Sequence, residues 1–378
     1  MILLHTSDWH LGMPVGNSNY REDQLFFVEE LVRVIREEKA GAVLLAGDVF
    51  DSGKVSGEAI DTWNRAATKV CLDCNIPMIV IAGNHDSADR LAACSELLKK
   101  SRLYICGRLA NPVEPVELDG GCVAVWPLPF FQSDAVRARW PEKSEEAGNQ
   151  AQATRVVLES IRERMGSYAR NILLSHSLVS DAELSDSDRS AKIGGASSIP
   201  ASVFEGFDYA ALGHIHKPQE ICPRVRYSGS PMAYSFGAEE SHEKGFVLYD
   251  TESGAERFVP IRQLHPHRTV TATGAEIAAR QRELEKCWLK LTVTDRPAGP
   301  ELHSEMRERF PYLAMLQGRI SGGGEAAGAV SGEELMRMKD TDIVKQFLLD
   351  TDSAVTPTDK QLEWFEKTML AQEKEELQ

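Results

Sequence analysis

Five short apolar runs in this chain each lead into a cluster of residues able to ligate a metal. Ile2-Leu3-Leu4 precedes Asp8-Trp9-His10, Ala42-Val43-Leu44-Leu45-Ala46 precedes Gly47-Asp48, and Met78-Ile79-Val80-Ile81 precedes Gly83-Asn84-His85-Asp86. Ile172-Leu173-Leu174 then precedes Ser175-His176, and Tyr209-Ala210-Ala211-Leu212 precedes Gly213-His214-Ile215-His216. A short continuous apolar run is the pattern of a strand buried on both faces. Polar groups just past the carboxyl ends of such strands meet in the crevice where an α/β sheet binds its ligand. The chain is therefore constrained to an α/β architecture with all five clusters at one edge. A lone histidine at a strand end is most often a satisfied structural residue. Here five of the ten histidines, His10, His85, His176, His214 and His216, fall in these loops, which chance would scatter.

Length and composition bound the rest. At 378 residues the chain exceeds one ordinary core, so two domains with appendages are expected. Charged residues at 26% and hydrophobic ones at 42% describe a soluble globular protein. No apolar run approaches bilayer length, and the first residues lack the basic start and cleavage site of a signal peptide, so a cytoplasmic location without membrane partners is expected. The seven cysteines are odd in number and mostly embedded in apolar segments, which suits reduced, buried thiols. Cys71-Leu72-Asp73-Cys74 has CxxC spacing, but without a second pair it reads as core rather than as a zinc or redox site.

Net charge argues against easy phosphate binding. At −15 the surface repels nucleic acid, whose affinity comes mainly from Lys and Arg contacts. Basic patches exist at Lys99-Lys100-Ser101-Arg102, at Arg224 with Arg226, and from Arg262 to Arg268. If DNA is the substrate, bound metal ions and a partner subunit must supply much of the positive field.

Strand and helix patterns alternate over residues 1–130, with helices expected at 20–39, 57–74 and 87–100. Residues 133–153 turn polar, a helix is expected at 154–165, and the Ser/Asp/Gly-rich stretch 181–198 reads as a mobile edge of the active site. Strand patterns at 224–227, 245–249 and 256–261 close a first domain spanning 1–262. Residues 263–320 then read as a small α/β module, with strands at 269–272, 288–293 and 313–316 and helices at 275–285 and 301–310. A Gly/Ala-rich linker is expected at 321–332, and two amphipathic helices that need a surface to bury against lie within 333–378.

The clusters carry a definite chemistry. Carboxylate, imidazole and amide donors without thiolate suit a hard or borderline divalent ion, with manganese, magnesium, iron and zinc all admissible. A carboxylate such as Asp48 can bridge two ions roughly 3.5–4 Å apart, a spacing suited to activating water and stabilising a leaving oxygen in phosphoryl displacement. His85, next to Asn84, is placed to meet the phosphate or protonate the leaving group. Phosphoester hydrolysis is the reaction class expected.

Taken together, the five clusters resemble the calcineurin-like metallophosphoesterases. More narrowly, His5-Thr6-Ser7-Asp8-Trp9-His10-Leu11-Gly12, Gly47-Asp48-Val49-Phe50-Asp51, Ala211-Leu212-Gly213-His214-Ile215-His216-Lys217 and Tyr227-Ser228-Gly229-Ser230-Pro231 resemble the SbcD family of bacterial double-strand-break nuclease subunits. The resemblance implies a two-sheet β-sandwich flanked by helices, with 263–320 as a capping domain beside the cleft. It implies two divalent ions, usually Mn2+, one held by Asp8, His10, Asp48 and His216 and the other by Asp48, Asn84, His176 and His214. It makes His85 the catalytic histidine that is not a ligand. Some relatives have His where this chain has Asp51, so Asp51 is assigned a role behind the ligands or at the substrate edge. The implied partners are DNA, an SbcC-type coiled-coil ATPase docking on 333–378, and a second copy through the helices of 57–74 and 87–100. Two other readings use the same residues. One is a metallophosphoesterase acting on a nucleotide or other small phosphoester, which has little need of a cap or tethered helices. The other is a scaffold without catalysis, against which no ligand position is substituted.

Overall fold

The computed structural model describes residues 1–184 and 198–320, of which Met1–Arg319 form one compact unit. Eighteen strands are described: β1 (Ile2–Thr6), β2 (Pro14–Val15), β3 (Ser18–Asn19), β4 (Ala40–Ala46), β5 (Met78–Ile81), β6 (Leu103–Cys106), β7 (Val116–Leu118), β8 (Val123–Leu128), β9 (Arg170–His176), β10 (Tyr209–Gly213), β11 (Gln219–Cys222), β12 (Val225–Tyr227), β13 (Gly245–Asp250), β14 (Glu256–Pro260), β15 (His267–Ala272), β16 (Trp288–Val293), β17 (Asp295–Arg296) and β18 (Leu313–Ile320). Two six-stranded sheets carry the site, in the orders β14-β13-β1-β4-β5-β6 and β11-β12-β10-β9-β8-β7. In the first, β1, β4, β5 and β6 run parallel; in the second, β8, β9, β10 and β12 do. Each of the five apolar runs is thus a strand near the middle of a sheet, and each cluster follows its carboxyl end.

The alternation of side chains across the pleat explains why those runs are apolar throughout. Leu3, Leu44, Ala46, Ile79 and Ile81 point inward and meet Val125, Ile172, Leu174 and Ala211 of the second sheet. Their neighbours Leu4, Val43, Leu45 and Val80 point outward, under the helices α1 (Arg21–Glu37) and α2 (Gly57–Thr68), where Phe27, Leu31, Trp63 and Ala66 cover them. On the outside of the second sheet, Trp126, Leu173 and Leu212 are covered by Val157, Leu158 and Ile161.

Some expected helices are broken. Residues 87–100 form two single turns, α3 (Ala88–Leu91) and α4 (Ser95–Leu98), because Cys94 adopts a left-handed φ of 60° between them. The polar stretch 133–153 is more ordered than expected: it holds α5 (Ser133–Arg139), anchored by buried Val136, and a 3-10 segment Pro141–Glu146. Asn149 then caps α6 (Gln150–Arg162) by accepting the Gln152 N–H at 3.0 Å, so this helix starts earlier than its apolar pattern. The cysteine expectation is corrected in part. All seven are free thiols, but only Cys71 and Cys287 are buried, and Cys94 and Cys122 are exposed. Cys71 does lie in the core, on the π-helical turn Lys69–Asp73.

Residues 267–320 form a four-stranded sheet, β15-β16-β18-β17, with β15, β16 and β18 parallel. The expected helix at 275–285 divides at Arg280 into α7 (Gly274–Ala279) and α8 (Gln281–Leu284), and α9 (Pro300–Arg309) follows. Val270, Ile277, Leu284, Leu289, Leu291, Met306 and Phe310 make a separate core. Trp288 instead turns into the first core, donating its Nε1–H to Asp23 at 3.1 Å and packing edge-on to Tyr20 at 5.3 Å. Most of the loop 181–198, the linker 321–332 and the helices of 333–378 lie outside the described residues.

Candidate metal centre

The loops after β1 and β4 are bonded to each other before any ligand is considered. The N–H of Asp8 donates to Gly47 O at 3.0 Å, that of His10 to Asp48 O at 3.0 Å, and that of Leu11 to Val49 O at 2.9 Å. The backbone here is tight: Asp8, His10 and Asp48, within this ladder, and His214, after β10, sit at positive φ of 54, 40, 50 and 106°. Such conformations cost about 1–3 kcal/mol each in non-glycine residues and cluster at functional sites. Asp86 fastens a third loop, its carboxylate accepting N–H bonds from Val49, Phe50 and Gly83 at 3.1, 2.9 and 2.9 Å. Burial, with Asp48 adding, pushes its carboxyl up to about 6.

All seven expected ligands converge. Donor atoms of Asp8, His10 and His216 lie within 4.8 Å of one another, as do those of Asp8, Asp48 and His176. Oδ2 of Asp48 stands 3.4 Å from His176 Nε2 and 3.8 Å from His10 Nε2, so Asp48 as well as Asp8 reaches both groups. Asn84 Oδ1 lies 2.9 Å from His176 Nε2 and 3.0 Å from His214 Nδ1. The carboxylates and histidines of this set are buried; Asn84 is exposed.

The donor set fits divalent ions on the geometry itself. His10 Nε2 and His216 Nε2 face each other at 3.1 Å, an arrangement that places two lone pairs together unless a cation or a proton lies between them. His214 Nε2 is buried without a hydrogen-bond partner. His176 donates Nδ1–H to Ala46 O at 2.8 Å, which turns its Nε2 toward two acceptors, the Asp48 carboxylate and Asn84 Oδ1. Burial alone would lower the His176 imidazole, yet the charge of Asp48 and its hydrogen bond raise it to about 9. The same contact, with His10, overrides burial at Asp48 and holds that carboxyl well below its usual range. Burial and the neighbouring imidazole of His176 depress His214 to about 3. The carboxylates thus draw positive charge into the site, and a neutral imidazole such as His214 is ready to ligate.

His85 and Asp51 lie at the more exposed rim of the set, where donor atoms of His10, Asp51 and His85 also come within 4.8 Å of one another. His85 is exposed, and its Nδ1 donates to the Asp51 carbonyl at 2.8 Å, which leaves Nε2 as the acceptor. Its ring stands edge-on to His10 at 4.8 Å. The Asp51 carboxylate lies 3.5 Å from His10 Nδ1, so this one residue touches a ligand with its side chain and the exposed histidine with its main chain.

Sequence reasoning missed the residues that back the ligands. Gln24 donates to the His10 carbonyl at 2.9 Å. Glu239 sits 3.5 Å from His216 Nδ1 and pairs with buried Lys244 at 2.7 Å. Nothing in the charged stretch around residue 240 marks them as buried; only the turn Ala238–Ser241 brings Glu239 inward.

Comparison with known proteins identifies a family and a relative. The model of the family described as calcineurin-like phosphoesterase matches residues 1–218. A curated protein of Staphylococcus epidermidis, the SbcD component of nuclease SbcCD, is 29% identical over 355 residues, covering 92% of each chain. Among solved structures, a protein of Thermus thermophilus aligns at 14% identity and a TM-score of 0.39, over 69% of this chain and 99% of its own. A dimetal phosphatase from Danio rerio aligns at 13% identity and a TM-score of 0.39, over 66% and 91%.

Proposed function

Since the chain belongs to the calcineurin-like phosphoesterase family, we propose that it is a metal-dependent DNA nuclease, acting as an exonuclease on duplex ends and an endonuclease on single strands or hairpins. The observation that carries the reading is the convergence of seven oxygen and nitrogen donors under one exposed histidine. In this reading Asp8, His10, Asp48 and His216 hold one ion, and Asp48, Asn84, His176 and His214 the other. Divalent ions held there, which we take to be Mn2+, would polarise the phosphoryl group and lower the pKa of the attacking water.

The chain's own groups do the rest. Asp48 binds with its side chain and also accepts the His85 backbone N–H at 2.9 Å, so ligand and catalytic histidine share one support. His85, with its Nδ1 proton committed to Asp51, presents Nε2 to the phosphate; when the ring is doubly protonated, the Nε2 proton passes to the leaving oxygen and the neutral imidazole remains. Asp51 holds His10 and His85 in register.

Partners follow the relative named as a component of an SbcC–SbcD nuclease. Residues 263–320 form the cap beside the cleft, 321–332 the linker, and 333–378 dock on an SbcC-type ATPase. A homodimer forms through α2 and α4, where Ile60 and Leu97 are 43% and 68% exposed. No described helix is long and apolar enough to cross a membrane, and the proposed workplace is the cytoplasm.

The test is cleavage of linear duplex, hairpin and circular single-stranded DNA, with and without Mn2+ and with and without the ATPase plus ATP. Metal-dependent cleavage of DNA is expected. Hydrolysis of a nucleotide or of bis-p-nitrophenyl phosphate with no attack on any DNA would overturn the substrate assignment. A chain ending at residue 320 should keep single-strand cleavage and lose stable ATPase binding. Sedimentation at tens of micromolar should show a dimer.

A further inference from the structure

A buried ion pair stands behind one ligand. Glu239 and Lys244 expose 0% and 2% of their side chains, and Lys244 Nζ donates to three acceptors: Glu239 Oε2 at 2.7 Å, the His216 carbonyl at 3.0 Å and Ser230 Oγ at 2.9 Å. Ser235 Oγ donates to Glu239 Oε1 at 2.6 Å, and the Tyr234 N–H to Oε2 at 3.3 Å. Oε1 also faces His216 Nδ1 at 3.5 Å. A buried pair of this kind is weak evidence for stability, since apolar replacements of similar volume are often neutral or stabilising. Its position against His216 gives it a different task.

We propose that Glu239, held in place by Lys244, is a positioning residue for metal binding: it keeps the His216 proton on Nδ1 and its lone pair on Nε2, toward the position shared with Asp8 and His10. The inference rests on the two-metal reading above. A neutral imidazole carries one proton, and whichever nitrogen faces a carboxylate keeps it. The opposite nitrogen becomes the better donor, and removal of such an outer partner commonly weakens metal binding about 10–100-fold. Lys244 holds the same residue a second time through its carbonyl, so ring and main chain of His216 answer to one pair. His10 has the corresponding contact, its Nδ1 lying 3.5 Å from Asp51, but that carboxylate is 27% exposed. The His216 side is therefore the one built from the interior.

The experiment titrates Mn2+ into the metal-free full chain by calorimetry, for wild type, Glu239→Gln, and Glu239→Gln with Lys244→Met, the last removing the charge that the single variant strands. Thermal unfolding of each metal-free protein is read in parallel. Both variants are expected to weaken one Mn2+ step by about 10–100-fold and to leave the other within a few-fold. A folded double variant with both steps at wild-type affinity, or with both weakened alike, overturns the proposal. Should both variants fail to fold, Ser235→Ala removes only one bond to Glu239; it is expected to weaken the same single step by a few-fold, and no change overturns the proposal. A wild type that binds no Mn2+ overturns the two-metal reading, and this inference with it.

Discussion

The backbone N–H of His85 donates to Oδ1 of Asp48 at 2.9 Å, joining the exposed histidine to a carboxylate that faces both His10 and His176. The two residues should nonetheless fail differently. Asp48→Asn removes a charge that both donor groups use, so both ions should be lost and cleavage abolished. His85→Ala should keep near-normal metal content while turnover falls by about 10²–10⁴, the usual size of a general-acid contribution. Metal analysis of the purified variants beside kcat on a phosphodiester separates them; loss of metal in His85→Ala would remove the distinction.

Gly83 is expected to tolerate no side chain. A Cβ there would stand 2.1 Å from Asp48 Oδ1 and 2.4 Å from its backbone nitrogen, closer than atoms can approach. Gly83→Ala must therefore displace Asp48 or open the loop that Asp86 fastens. Reduced Mn2+ content is expected, with a stability loss of about 1–3 kcal/mol for overpacking. A variant with full metal content and wild-type unfolding would contradict the geometry.

His5 predicts acid sensitivity away from the site. Its ring is buried in β1, bonded to Tyr209 OH at 2.8 Å and the Leu212 carbonyl at 3.1 Å, and burial lowers it from 6.5 to about 3. The folded chain keeps it neutral while the unfolded chain protonates it. Its contribution is therefore complete above pH 6.5 and is lost progressively as pH falls from 6.5 toward 3. Over that window one such group lowers stability by about 1.4 kcal/mol per pH unit. His5→Gln should be less stable at pH 7 yet show a flatter decline between pH 6.5 and 4.5 in denaturant unfolding; an unchanged slope would show that His5 does not titrate there.

Trp288 ties the four-stranded sheet to the first core through Asp23 and Tyr20. Trp288→Ala should cost about 3–5 kcal/mol in unfolding free energy, the range for a buried aromatic truncated to Ala. Mn2+ content should be unchanged, because no ligand touches the indole. Loss of metal in a folded variant would mean that the sheet carrying β16 supports the ligands more directly than these contacts indicate.

The site was legible because its signals are local. Each proposed ligand lies within a few residues of the strand that carries it, and a strand buried on both faces writes itself as an unbroken apolar run, as in Ala42 to Ala46. Helices over 87–100 and 275–285 depart from their pattern for the opposite reason. Helical spacing of apolar residues persists there, while Cys94 and Arg280 interrupt the backbone without Gly or Pro to announce it.

By itself the sequence determined the five strand-and-cluster units and the oxygen and nitrogen donors they carry, since both depend on residue type and short spacing. Only the tertiary structure decided how those units share atoms. His10 meets His216 across 206 residues, Trp288 meets Asp23 across 265, and Asp51 faces two histidines with different parts of itself. Glu239 and Lys244 show the reason most plainly. In the sequence they are ordinary charges in a charged stretch; in the fold they are buried behind His216, and burial turns a residue that water would satisfy into one that must find its partner inside the protein.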